Sequence, residues 1–152
     1  MITQEEVESL QESWAQAVVR LGATTSQEEA HAQATQLVRE HYVLDGEPLL
    51  FCPTKAAEQQ FRTTLEAAVS YFVGNNTNHD EDQGFALEPW ASVRFQNAGI
   101  ICRSDTALAM GNYFFGRADG SELKAEFSFV YMKDSQGSLK IQLHHSAVPY
   151  SP

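Results

Sequence analysis

Two adjacent histidines and a hydroxyl, His144, His145 and Ser146, close an alternating stretch that runs out into Pro149. Imidazole is the side chain whose charge changes near neutral pH, so this tripeptide brings proton-exchanging and hydrogen-bonding groups to the rim of whatever the strand encloses. A histidine pair suggests a metal first. Neighbours on a regular strand point to opposite faces, however, so the two imidazoles cannot meet at one ion. Alternation groups Ile141, Leu143 and His145 on one face and Gln142, His144 and Ser146 on the other. One histidine is therefore structural, without the pattern deciding which, since a bulge near Pro149 would reorient the pair. No carboxylate lies near them in sequence to complete a ligand triad. Cys52 and Cys102 stand far apart without a CxxC, as small buried hydrophobes. No metal and no cofactor is expected.

Two further hydroxyls sit where chemistry could use them. Thr54 follows Pro53 and reads as the N-cap of a third helix, a place where free backbone N–H groups favour an anion. Tyr71 falls in the last turn of that helix among apolar neighbours, so its phenol wants a partner. Other polar groups read more plainly. The run Asn78 to Asp82 lacks the spacing and glycine of a calcium loop and is expected to be solvated. His31, His41 and His79 are expected at the surface, and Glu88, Glu122 and Glu126 at exposed positions.

The elements that must position these groups follow from period and punctuation. Thr3 with Glu6 forms a capping box ahead of Val7, Leu10, Trp14, Val18 and Leu21, with Gly22 as the stop. Ser26 with Glu29 opens a second helix along Ala30, Ala34, Leu37, Val38 and Tyr42, ending near Asp45 and Gly46. Phe61, Leu65, Ala68, Val69 and Phe72 predict a third from Lys55 to Gly74. Beyond the polar loop the period becomes two, with strands at Trp90 to Phe95, Ile100 to Cys102, Ala107 to Phe115, Leu123 to Met132 and Leu139 to His145. Asn97 to Gly99, Asp119 with Gly120, and Ser135 to Gly137 are the turns between them. Helices first and hairpin-connected strands afterwards predict one α+β domain over 1–152. Its N-terminal part, 1–45, is helical, and 46–152 carries a helix and a strongly curved antiparallel sheet enclosing a pocket.

Composition limits the partners. With 20 Asp and Glu against 10 Lys and Arg, the chain carries a formal charge of −10, which repels nucleic acid and anionic membranes. No apolar run is long enough to span a bilayer, and the polar N-terminus has neither a secretory nor a transit pattern, so the expected compartment is the cytoplasm. Phe127, Phe129 and Tyr131 alternate with Val130 and Met132, making that strand apolar on both faces. A homodimer built through the sheet would cover the surplus.

Five segments together, Leu50-Phe51-Cys52-Pro53-Thr54, Glu58-Gln59-Gln60-Phe61-Arg62, Ser70-Tyr71-Phe72-Val73-Gly74, Glu88-Pro89-Trp90 and His144-His145-Ser146, resemble the iota-class carbonic anhydrases. The fold of that class is similar to the association domain of calcium/calmodulin-dependent protein kinase II and to nuclear transport factor 2-like cones. The likeness runs from Gly46 to the C-terminus, with one departure: Ala147 stands where the family tail His-His-Ser-Ser has its second serine. The resemblance implies a pocket in which Thr54, Tyr71 and Ser146 hold bicarbonate or CO2 and water, with His144 and His145 beside them. The alternative is a non-catalytic association module of the same cone fold. A cone-fold isomerase or hydrolase would need a buried carboxylate among the strands.

Overall fold

Thr3 opens the chain as its capping box predicts, its hydroxyl accepting from the Glu6 amide while the Glu6 carboxylate accepts from the Thr3 amide at 2.8 Å. In this computed structural model, which describes residues 1–152, helix α1 spans Gln4–Gly22 and turns Val7, Gln11, Trp14, Val18 and Leu21 inward. Helix α2, Gln27–His41, buries Ala30, Ala34, Leu37 and Val38. Ser26 caps the Glu29 amide, but the Glu29 carboxylate returns to Thr25, so the expected reciprocal box is half made. α2 also ends earlier than Asp45, because Tyr42 leaves helical geometry and bridges to Ile141. His41, expected at the surface, is buried against α1. Its Nδ1 lies 2.7 Å from the Leu37 carbonyl and must carry the proton, leaving Nε2 to accept from the Ser13 hydroxyl at 2.8 Å. Burial holds this imidazole below its usual pKa.

The third helix is shorter than its periodicity predicts. α3 covers only Leu65–Val73, capped by Thr64 and closed by Gly74 at φ 66. The segment from Lys55 to Thr64 is irregular because tertiary partners outbid the helix for its backbone. The Glu81 carboxylate accepts from the amides of Ala57, Glu58 and Gln59, and the Arg62 amide donates to the Phe51 carbonyl at 2.7 Å. Phe61 is consequently 69% exposed instead of facing the core. Thr54 is therefore no helix cap.

The sheet runs β1-β5-β4-β3-β2, with β1 Leu50–Cys52, β2 Ser92–Cys102, β3 Thr106–Gly116, β4 Glu122–Lys133 and β5 Leu139–Ala147. It is mixed where an antiparallel sheet was expected, because edge strand β1 pairs parallel to β5, placing Phe51 beside His144. The predicted turn at Asn97 to Gly99 is a bulge within one continuous strand. The bulge brings β2 so close to β3 that a Cβ on Gly111 would sit 2.2 Å from the Gln96 carbonyl oxygen, so that position takes only glycine. It also aims Asn97 at α1, where its amide and that of Gln11 exchange hydrogen bonds at 2.8 and 2.9 Å. Helices cover the inner face of the sheet, and all three contribute to one buried apolar cluster with β1, β3, β4 and β5, against which β2 packs half-buried side chains. No helix is long and apolar enough to cross a membrane.

Candidate active site

Both inward-facing candidates on β5 owe their direction to a bulge at Gln142. Val130 pairs with Leu143 and Tyr131 with Ile141, leaving Gln142 without a partner on β4. The extra residue resets the alternation, so Ile141, His144 and Ser146 are all buried on the inner face. The simple alternation that grouped Ile141 with His145 is thereby corrected, and the bulge lies at Gln142, not near Pro149. His145 is exposed on the opposite face, paired with Ser128 and Cys52, and belongs to no site with His144. Ala147 likewise alternates away from Ser146, so a second hydroxyl there would not reach the cluster.

His144 is held between aromatic faces. The Phe129 ring stacks at 4.2 Å on one side and the Phe51 ring at 4.9 Å, with the Trp14 edge at 5.7 Å. Burial, assisted by the nearby His145, lowers its pKa to about 3, so the ring is neutral under any ordinary condition. Both nitrogens are engaged: Nδ1 lies 2.8 Å from the Tyr42 hydroxyl and Nε2 lies 3.0 Å from the Tyr113 hydroxyl. No lone pair is left for an ion, and no three His, Cys, Asp or Glu side chains converge anywhere in the chain as a ligand set.

From His144 the contacts run outward. Tyr113 donates to Ser146 Oγ, and Ser146 Oγ lies 2.5 Å from Thr54 Oγ1, joining residues 92 positions apart. Tyr71 is buried with its hydroxyl accepting from the Lys55 amide at 3.2 Å. Burial raises the pKa of the Tyr71 and Tyr113 phenols, and the neighbouring Thr54 hydroxyl opposes that rise at both. Thr54, Tyr71, Ser146 and His144 are thus brought together, uncharged. Thr54 is half-buried and Lys55 exposed, so the cluster reaches the surface there. A cavity of about 260 Å³ adjoins it, lined by Lys55, Tyr71, Glu81, Phe85, Glu88 and Trp90 among others.

Behind Tyr71 lies a second polar group of different character. The Asp82 carboxylate, fully buried, takes both Arg62 terminal nitrogens at 2.6 and 2.7 Å and the Ser70 hydroxyl at 2.5 Å. Asp82 and Glu81 therefore do not belong to a solvated loop: they fix the Lys55 to Thr64 segment that carries Thr54's neighbours. The two cysteines are free and half-buried, less enclosed than expected.

Three members of the cluster escape sequence reading. Tyr113 reads only as an inward aromatic of β3, Tyr42 as the last apolar position of α2, and Trp14 as core. Their polar atoms meet only once β3 and β5 are in register and α1 lies across them. The chain is 36% identical over 153 residues to the metal-independent carbonic anhydrase of Nostoc sp. strain PCC 7120, covering 98% of this chain and 75% of that one. Its structure is similar to a crystal structure of the iota-carbonic anhydrase from a cyanobacterium complexed with bicarbonate, with TM-score 0.95 and 35% identity over 99% of this chain and 94% of that one. A nuclear transport factor 2-like protein from Pseudomonas putida KT2440 shares the fold at TM-score 0.59 and 16% identity, over 97% and 87% of the two chains. The profile of the metal-independent carbonic anhydrases matches residues 5–148, and the chain belongs to that family.

Proposed function

We propose that Thr54, Tyr71 and Ser146 form the site at which this carbonic anhydrase interconverts CO2 with bicarbonate, with His144 as an uncharged support behind them. The observation that carries this reading is the 2.5 Å contact between Thr54 and Ser146 hydroxyls, backed by a buried phenol and adjoining a third hydroxyl at Tyr71. In the hydration direction a water oxygen bonds to the carbon of CO2, negative charge develops on the CO2 oxygens, and one proton leaves. Preorganised hydroxyl donors in a largely dry site stabilise that charge without a metal. The hydroxyls and imidazole of the cluster are neutral, so the bicarbonate anion is held there by hydrogen bonds each worth about 0.5–1.5 kcal/mol and leaves readily, while the charged Lys55, Glu81 and Glu88 line the adjoining cavity. His144, protonated only near pH 3, is not the acceptor of the released proton. The half-exposed opening beside Thr54 lets water or buffer take it.

A homodimer is the assembly we propose. On the outer face of the sheet Ile101, Leu108 and Met110 are 50%, 42% and 58% exposed around a hollow that Val130 and Leu143 complete, an apolar surface a second copy would cover. Light scattering at micromolar concentration should give twice the 16.9 kDa chain mass, and a monomer would exclude it. Two free thiols fit a reducing compartment such as the cytoplasm.

Replacing Ser146 by alanine should lower CO2 hydration by about a hundredfold while the unfolding midpoint stays close to that of the unsubstituted chain. Thr54→Val should do the same, since Thr54 caps no helix. Full activity in both variants would remove the assignment.

A further inference from the structure

The buried hydrogen bonds at His144 form a chain with a donor that cannot accept at its far end. Trp14 Nε1–H donates to the Tyr42 hydroxyl at 3.1 Å. The only other polar partner of that hydroxyl is His144 Nδ1 at 2.8 Å. Indole nitrogen has a proton and no lone pair to offer, so the single proton of Tyr42 has one place to go, Nδ1. Leaving it unpaired in a fully buried position would forfeit the whole desolvation of that group. A neutral imidazole accepting at Nδ1 carries its proton on Nε2, which then donates to Tyr113 Oη. Tyr113 must in turn direct its own proton to Ser146 Oγ, the orientation the structure shows. Ser146 accepts from Tyr113, and with its own proton directed to Thr54 Oγ1, 2.5 Å away, the Thr54 proton is left for the half-exposed opening beside it.

We infer that Tyr42, backed by Trp14, is a positioning residue for CO2 hydration: it fixes His144 as the Nε2–H tautomer and so sets the direction of every hydrogen bond from Tyr113 to Thr54. The consequence is that the chain ends in a donor facing the oxygens of the substrate, where charge builds up. With the opposite polarity Tyr113 would donate to Nε2, Ser146 to Tyr113 and Thr54 to Ser146, and the pocket would meet a lone pair. A lone pair there offers no hydrogen bond to the oxygens on which charge develops. The chain is also a dead end for protons, since Trp14 cannot receive one, so it orients the site without draining it. This inference rests on Thr54 and Ser146 being the substrate-contacting groups.

The test is nitrogen NMR of the full chain labelled in its five histidines, with the His144 ring identified by its loss in His144→Gln. The unsubstituted protein should show His144 protonated on Nε2 and bare on Nδ1, unchanged from pH 5 to 9. Tyr42→Phe, which keeps the ring and removes the hydroxyl, should let the Nδ1–H form appear and lower kcat/KM for CO2 hydration about tenfold, as loss of one oriented donor would. Trp14→Phe should leave His144 on Nε2–H, because Nδ1 remains the only acceptor within reach of Tyr42. A Nδ1–H signal in the unsubstituted protein overturns the inference whether or not any variant folds. So does Tyr42→Phe changing activity without changing the tautomer, or changing the tautomer at full activity. Ser146→Ala, assayed beside them, separates the two levels: undiminished activity there removes the site assignment, while the spectrum alone decides the tautomer.

Discussion

Two buried polar groups lie on either side of Tyr71 and hold themselves together by opposite means. On one side Arg62 and Asp82 form a bidentate ion pair with neither side chain exposed, and the guanidinium carbon sits 5.9 Å from the Tyr71 ring centre. On the other, Trp14, Tyr42, His144, Tyr113, Ser146 and Thr54 are joined by neutral contacts alone. The ionic group is closed, with partners supplied by Gln59 and Ala67 carbonyls and Ser70, and it anchors a loop. The neutral chain is open at Thr54. Buried charge suits anchorage, because removing either partner leaves the other uncompensated. A neutral site suits a reaction whose own charge appears in the transition state, because no resident charge competes for the same donors.

Asp82→Ala should show the difference at its largest. It leaves the buried Arg62 with only the more distant Glu81 carboxylate, 3.8 Å away, and should cost about 3–5 kcal/mol of stability, read as a shift of the denaturant midpoint. A loss no larger than that of an ordinary surface substitution would mean that the pair anchors nothing.

Acid should reach the neutral side instead. His144 has a folded pKa near 3 against an ordinary 6.5, so the unfolded chain binds the proton that the folded one refuses. Stability is fully present above the unfolded value and falls as pH drops from about 6.5 toward 3. By pH 4.5 this amounts to about 2–3 kcal/mol at 1.36 kcal/mol per unit. His41, also lowered by burial, adds in the same direction. Thermal midpoints measured over that range should decline more steeply in the unsubstituted protein than in His144→Gln, and parallel curves would contradict the buried neutral imidazole. The smallest effect belongs to His145→Ala. Exposed on the outer face, it should change stability by under about 0.5 kcal/mol and leave CO2 hydration intact. A large loss of activity would bring His145 back into the chemistry.

How much of this was legible in the sequence differs along the chain for physical reasons. α1 and α2 were readable because Thr3 and Ser26 cap within three residues of themselves, and β3 and β4 because regular alternation needs no distant partner. The helix expected from Lys55 failed for the converse reason. Phe61 and Leu65 carry helical spacing, but Glu81 and Asp82, some 20 residues on, take the backbone amides and Arg62 into a different arrangement. Of the site, Thr54, Tyr71, His144 and Ser146 were within reach through local type and spacing and through family likeness. Tyr42, Tyr113 and Trp14 were not, since a hydroxyl's partner is set by strand register and helix placement. The bulge at Gln142, which decides that His144 and not His145 faces inward, leaves no mark in the alternation that precedes it.

The neutral contacts from His144 to Thr54 support hydration of CO2 by uncharged hydroxyls and not by a metal. The most direct measurement is stopped-flow CO2 hydration by protein stripped with chelator and shown by elemental analysis to hold far less than one zinc, manganese or magnesium per chain. The rate should be the same before and after stripping. Activity lost on stripping and restored by adding back one of those metals would contradict it.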